Sequence, residues 1–432
     1  MARKLGLWMS TALVVGNMIG SGVFLLPASL GAYGGVSLVG WLVTSAGAMA
    51  LALTFARLSR LLPRAGGPYA YTRAGFGDFA GFVVAWGYWV SVCAGNAAIA
   101  VAFVGYLAFF WHPLATSAPL GAAAALAAIW SLTWVNGRGV RQAGSLQLIT
   151  TILKLLPLIA LGTMGLLLLN WDHFTPFNPS GQPLVVAVSA TATLTLWAFL
   201  GVESATIPAG NVERPEWTIP RATVFGTGLA AVVYVLSTVG VMGILPPERL
   251  VSSTAPFADA ARAVWGPWAA EAIAAGAALS CFGALNGWIL LQGQLPMAVA
   301  MDGLFPAVFG RISPRGTPVA GLALSSLLVT LIVLMNYTKG LVDTFTFVIL
   351  LATVTVLVPY VFSSLYLTML SLRASPTAKA TAAVAGLALL YSVWAIAGSG
   401  RDAVFWGFLL LLAGVPVFAW IRRDRNRTGA PT

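Results

Sequence analysis

Twelve apolar stretches, each near or above the ~20 residues needed to cross a hydrocarbon core, dominate this 432-residue chain. They fall at about 7–31, 36–60, 77–110, 118–136, 143–169, 183–210, 219–244, 258–300, 317–336, 341–371, 378–398 and 403–421. Hydrophobic residues make up 59% of the chain and charged ones 8%. A soluble domain carries about 25% charged residues, so there are too few charges here to cover a water-exposed surface. Lipid must face most of the exterior, and the spans 77–110 and 258–300, too long for one crossing, are expected to include tilted ends or short interfacial helices.

The net charge of +11 does not point to nucleic acid, because no recognition motif accompanies it. The basic residues cluster in short loops between the apolar runs. With the N-terminus on the cytoplasmic side, roughly 18 of the 23 Lys and Arg fall inside and about 4 outside, with Lys154 left within a span. The positive-inside rule then places both termini in the cytoplasm, with 422–432 as a short basic tail, and implies an even number of crossings. The start, Met1-Ala2-Arg3-Lys4 followed by an apolar run, is expected to be a retained first helix, since that run is too long for a signal peptide. Cys93 and Cys281 lie inside apolar runs with no Cys/His metal spacing around them, so no metal, cofactor or disulfide framework is expected.

The most informative segment is Gly16-Asn17-Met18-Ile19-Gly20-Ser21-Gly22, midway along the first span. Each glycine weakens a helix by about 1 kcal/mol relative to alanine. Unwound backbone in hydrocarbon is tolerated only where it faces protein or a water-filled cavity. Freed N–H groups suit a carboxylate and freed carbonyls an ammonium, so such a break can hold both ends of an α-amino acid. The competing reading is close helix packing on small residues. A second break is expected in the sixth span, at Leu196-Trp197-Ala198-Phe199-Leu200-Gly201-Val202-Glu203-Ser204. Gly20 and Gly201 are about 180 residues and five crossings apart, the pattern of an inverted repeat with discontinuous helices at its interface.

Two ionisable residues lie inside spans, where they are costly and usually functional. Glu203 reads as a proton-sensing or gating carboxyl, or alternatively as a cap on local backbone. Lys154 sits some eleven residues into its span, roughly 16 Å deep at 1.5 Å per residue, which is long for a lysine snorkelling to the interface. Its ammonium could stand in for a bound sodium ion or carry a proton. Tyr88, Trp197, Trp288 and Tyr360 are the aromatic candidates for covering or stacking on a cationic substrate.

With these segments, Gly66-Gly67-Pro68-Tyr69-Ala70-Tyr71, Asp302-Gly303-Leu304-Phe305-Pro306 and Gly316-Thr317-Pro318-Val319-Ala320-Gly321, nearly the whole chain resembles the amino acid–polyamine–organocation transporter superfamily. It is most similar to the arginine/agmatine and related basic amino acid antiporters. The resemblance implies an all-α integral membrane protein of twelve helices with a five-plus-five inverted repeat, the LeuT-type fold, and broken helices 1 and 6. The repeats would cover about 7–169 and 183–371, followed by two further helices over 378–421. Alternating access, a homodimer and the cell inner membrane are also implied.

By the same resemblance, Ser21 and Gly22 hold the substrate carboxylate, backbone at Met18, Trp197 and Leu200 receives the α-amino group, and Gly20 is a further substrate-binding position. Trp288 stacks on the guanidinium, Asn96 contacts the side chain, Tyr88 and Tyr360 are aromatic gates, and Glu203 with Tyr69 forms a proton-sensitive gating pair.

The chain departs from those antiporters at Ala352, where they place a guanidinium-facing serine, at Val92 and Ile99, and at Lys154. That lysine resembles the fifth-helix lysine of proton-linked transporters and neutral amino acid exchangers. The expected function is exchange of basic amino acids and their amines, possible proton involvement included; the alternative is a proton-coupled or exchange permease for small neutral amino acids. A channel would need a polar pore signature, and an enzyme a nucleophile or His/carboxylate cluster. The sequence shows neither, and both histidines, His112 and His173, fall in outer loops.

Overall fold

The structure is a computed structural model describing residues 4–338, 342–374 and 378–428, with the side chains of 342–353 and 424–428 outside the described set. It is an all-helical bundle. In chain order the helices are α1 Leu7–Met18, α2 Leu26–Gly31, α3 Val36–Leu61, α4 Pro68–Leu107, α5 Pro113–Thr116, α6 Ala118–Arg138, α7 Val140–Leu167, α8 Leu184–Leu196 and α9 Pro215–Ile244. There follow α10 Pro247–Ser252, α11 Pro256–Trp265, α12 Pro267–Met301, α13 Val319–Tyr337, α14 Val342–Arg373, α15 Lys379–Gly398, α16 Arg401–Ala413 and α17 Val415–Thr428. Among the described residues, eleven segments are long and apolar enough to cross a membrane, and the shorter apolar α1 opens a twelfth crossing that α2 completes.

Both overlong spans have local explanations. The first is kinked: α4 opens with a short helix at Pro68, after Gly66 and Gly67 at positive φ and with proline at the first position, where its missing N–H costs nothing, breaks at Gly77 (φ 85°, ψ 179°), and runs on from there as the long helix to Leu107. Arg73 and Asp78 make this stretch look like a loop, but Arg73 Nε pairs with Asp78 at 2.7 Å and its Nη1 with Asp302 at 2.7 Å. The second overlong span divides at Gly266 (φ 88°) into α12 and the short amphipathic α11, which buries Phe257, Ala258, Ala260 and Ala261.

Both expected breaks are present. α1 stops at Met18; Ile19 leaves helical geometry (ψ 88°), and the chain resumes as a single 3-10 turn over Gly22–Phe24 before α2. α8 stops at Leu196, a 3-10 turn covers Trp197–Phe199, Leu200 is extended (ψ 131°) and Gly201 takes φ 106°. Only glycine adopts that last conformation without strain. Beyond it the sixth crossing continues in 3-10 turns at Ser204–Thr206 and Ala209–Asn211 rather than as a second α-helix.

Lipid is as apolar as leucine, so helix association in a membrane depends on close packing of small residues and on interhelical hydrogen bonds. α7 and α9 meet backbone to backbone. A Cβ on Gly165 would lie 2.2 Å from Gly240 Cα, and one on Gly240 would lie 2.8 Å from Gly162 Cα. Gly165→Ala is therefore expected to lower stability by about 3 kcal/mol, the upper range for overpacking. Thermal melting of the purified protein checks this, and an unchanged melting temperature would show that the two backbones do not touch. A buried amide seam adds polar contacts: Asn136 Nδ2 donates to Asn286 Oδ1 (3.1 Å) and Asn286 Nδ2 to Gln147 Oε1 (2.8 Å), linking α6, α12 and α7.

Candidate functional site

The two breaks face each other. Asn17 Nδ2, at the end of α1, donates to Ser204 Oγ in the sixth crossing (2.9 Å). α12 approaches closely enough that a Cβ on Gly287 would lie 1.9 Å from Asn17 Oδ1. The neighbouring Trp288 Nε1 thereby reaches the Asn17 carbonyl at 3.2 Å.

Between these elements lies a cavity of about 450 Å³, whose walls include Met18, Gly20, Ser21, Gly22, Trp197, Leu200 and Trp288. Val92, Ile99, Leu25 and Val356 give it an apolar side, and among the described residues no acidic or basic side chain lines it. A second cavity of about 400 Å³ shares Ser21, Gly22 and Leu25 with it and extends past Tyr106 and Phe257, toward the end of the bundle remote from the N-terminus.

The break offers both polarities of backbone. No partner is present, among the described residues, for the N–H groups of Ser21, Gly22 and Val23, which point off the start of the 3-10 turn. A carboxylate is the natural complement of such a cluster. On the sixth crossing the Leu200 carbonyl likewise has no partner, while Trp197 O accepts only Leu200 N at 3.3 Å. The carbonyls at the end of α1 are mostly taken. Lys154 Nζ donates to Gly16 O at 2.7 Å and also to Ile19 O, and Ser280 Oγ donates to Ile19 O and Gly20 O, both at 3.1 Å. Met18 O accepts Gly20 N at 3.0 Å. Lys154 is fully buried, so it does not snorkel; it caps the broken helix from α7.

The three glycines of the first motif do different work. A Cβ on Gly16 would meet Gln147 Nε2 at 2.0 Å and Thr151 Oγ1 at 2.7 Å, so Gly16 serves helix packing. Gly20 stands in the break with ordinary space around it, and a Cβ on Gly22 would meet nothing within 4 Å, because it opens onto the cavity.

Next to the cavity, Glu203 is buried and accepts hydrogen bonds from the hydroxyls of Tyr88 on α4 and Tyr360 on α14. Tyr360 Oη in turn accepts Gly201 N at 3.2 Å. One carboxylate thus ties the sixth break to two long helices. Tyr69 does not join it. Its hydroxyl donates to Asp302 Oδ2 at 2.8 Å, beside the Arg73–Asp302 ion pair. The expected Tyr69–Glu203 pair is therefore corrected to two separate links, because Tyr69 sits at the very start of α4 and meets the end of α12.

A sequence model described as amino acid permease matches residues 5–421. The chain belongs to that family. It is similar to a cadaverine/lysine antiporter of Escherichia coli (strain K12), 36% identical over 376 residues, 84% of this chain and 82% of the relative. It is also similar to the putrescine transporter PotE of Escherichia coli (strain K12), 33% identical over 429 residues, 97% of this chain and 96% of the relative. PotE of Haemophilus influenzae is 33% identical over 431 residues, 97% of each chain. This permease is accordingly a multi-pass membrane transporter and not an enzyme.

Not every candidate residue reaches the cavity of the permease. Asn96 is buried behind the wall, donating from Nδ2 to Gln292 Oε1 at 2.8 Å, with Gln292 Nε2 on Ser326 Oγ at 2.8 Å. Its expected substrate contact is absent from this arrangement, because one helical turn along α4 the cavity is lined by Val92 and Ile99 instead. The side chain of Ala352 lies outside the described residues. Ser280 and Tyr234, whose hydroxyl donates to Ala198 O at 2.7 Å, hold the breaks in place and were not singled out from sequence. Each is one small or aromatic polar residue in an apolar run, and nothing local marks it. Asp302 stood in a quoted motif, but its role depends on Tyr69 more than 200 residues away.

Proposed function

We propose that this permease exchanges a basic amino acid for an amine of the cadaverine or putrescine class by alternating access. The observation that carries the reading is the cavity at the two breaks, with free N–H groups at one edge, a free carbonyl at the other and an apolar wall beyond. The N–H groups suit an α-carboxylate, the Leu200 carbonyl suits an α-ammonium, and Val92, Ile99, Leu25 and Val356 suit a polymethylene chain. A lysine or diamine chain matches such a wall better than a guanidinium does. The names of the relatives support the same shift, so arginine and agmatine give way to lysine, cadaverine and putrescine as the leading substrates.

The two five-helix units, about 7–169 and 183–371, are the proposed moving parts, in a homodimer in the inner membrane with both termini cytoplasmic. The ring of Trp288 covers the substrate cation, and Glu203 is the proposed proton-sensitive element.

The test is uptake of labelled lysine or labelled alanine into proteoliposomes loaded with cadaverine, putrescine, agmatine, alanine or nothing. Internal cadaverine or putrescine is expected to accelerate uptake. If uptake responds only to small neutral amino acids, the neutral-permease reading replaces this one. Trp288→Leu is expected to weaken lysine and cadaverine by about tenfold, in line with a desolvated cation–π contact of ~1–2 kcal/mol, and to affect alanine less. Equal losses for both substrate types would remove the stacking role.

A further inference from the structure

A second kind of cavity lies apart from the substrate site. It is a groove of about 850 Å³ at the end of the bundle that carries the N-terminus, walled by α1, α3, α9, α14 and α15. Its lining is mainly apolar, and it includes Trp8 and Phe225, which are 63% and 54% exposed and meet edge-on at 6.3 Å. Arg57, Arg60 and Arg221 also line it, the Arg221 guanidinium lying over the Trp217 ring at 4.0 Å and donating to Trp217 O at 3.2 Å. Among the described residues the ion pairs formed all involve Arg73, so these three cations have no carboxylate partner.

The occupant must therefore be apolar along most of its length and anionic at one end, at the depth where the transmembrane helices finish. A soluble anion leaves the apolar wall uncovered. A second copy of the chain, with only 12 Asp and Glu in all, offers few carboxylates to three arginines that lack one. We propose that this groove is a binding site for an anionic glycerophospholipid. Its phosphate lies among Arg57, Arg60 and Arg221, and an acyl chain runs along the exposed faces of Trp8 and Phe225. Guanidinium and phosphate match in geometry as well as charge. The site abuts α1, the short half-helix that ends at the substrate cavity. Binding itself does not depend on what the permease carries.

The experiment titrates delipidated, detergent-purified protein with phosphatidylglycerol and with phosphatidylcholine of the same acyl chains, read by native mass spectrometry and by thermal melting. Phosphatidylglycerol is expected to form retained adducts and to raise the melting temperature, and phosphatidylcholine to do neither. The triple variant Arg57→Gln/Arg60→Gln/Arg221→Gln is expected to lose roughly 100-fold in phosphatidylglycerol affinity, from the usual contribution of each basic residue at a membrane surface. The corresponding triple lysine variant restores most of it and shows that the glutamine variant is not simply misfolded. Arg138→Gln/Arg141→Gln, on a different loop, leaves binding unchanged. Equal adducts from both lipids, undiminished binding by the triple glutamine variant, or a dimer that buries the groove and excludes lipid would each overturn the proposal.

Discussion

Lys154→Met is expected to abolish most exchange activity and to lower stability by about 3 kcal/mol, the cost of stranding buried polar groups that had a charged partner. Methionine matches the length of the lysine chain, so packing is nearly conserved and the loss isolates the ammonium. α1 stops at Met18, so its last carbonyls have no downstream N–H. Gly16 O has Lys154 as its partner, and Ile19 O shares Lys154 with Ser280. A positive charge at a helix C-terminus also complements the macrodipole. With no water in the hydrocarbon region to replace the donor, an uncapped Gly16 carbonyl either stays unpaired or pulls the break into a new shape. Melting temperature and exchange rate of the purified variant check this together. If both stay at the parent values, the ammonium does not hold the break; lost exchange with unchanged melting would move Lys154 from scaffold to transport step.

Glu203→Gln is expected to slow exchange by about ten- to a hundredfold, equivalent to losing one charge-assisted hydrogen bond of ~1.5–3 kcal/mol. The carboxylate accepts from two tyrosine hydroxyls at once. A glutamine has a single acceptor oxygen, so its amide must face one of the hydroxyls, and the remaining bond becomes neutral. α4, α14 and the Gly201 turn are then no longer tied through one group. The arrangement that this tie stabilises becomes less populated, and an alternating-access carrier slows when one of its states is lost. Exchange measured across the acid-to-neutral range should also lose most of its pH dependence, since Glu203 is the proposed proton-sensitive element. Glu203→Asp, which keeps the charge on a shorter arm, should recover part of the rate. A glutamine variant with the parent rate and pH profile would remove Glu203 from the gate.

How much of this was legible from residues alone differs from feature to feature. The spans were legible because hydrocarbon accepts only long apolar helices here, and length and composition are local properties. The two breaks were legible for a related reason: glycine at Gly20, Gly22 and Gly201 is unfavourable in a helix whatever surrounds it. The short helical stretch ahead of the Gly77 kink was not, because Arg73 and Asp78 look like loop residues until Asp302 and Asp78 are seen to neutralise the arginine. The fate of Gly16 was not either, since packing and unwinding both call for a glycine and only the position of Gln147 separates them.

The sequence by itself determined a twelve-crossing bundle with glycine-marked breaks in its first and sixth crossings, and it singled out the buried charges Lys154 and Glu203. Tertiary structure alone decided the partners: Lys154 on the carbonyls of α1, Glu203 on Tyr88 and Tyr360, Tyr69 on Asp302, and Asn96 turned toward Gln292. The reason is physical. In water, an apolar stripe tells which face of a helix points inward. In a membrane the lipid-facing side is as apolar as the core, so hydropathy fixes that a helix spans but not which way its few polar side chains turn. Those directions follow from helices packing against one another, often more than 100 residues apart in the chain.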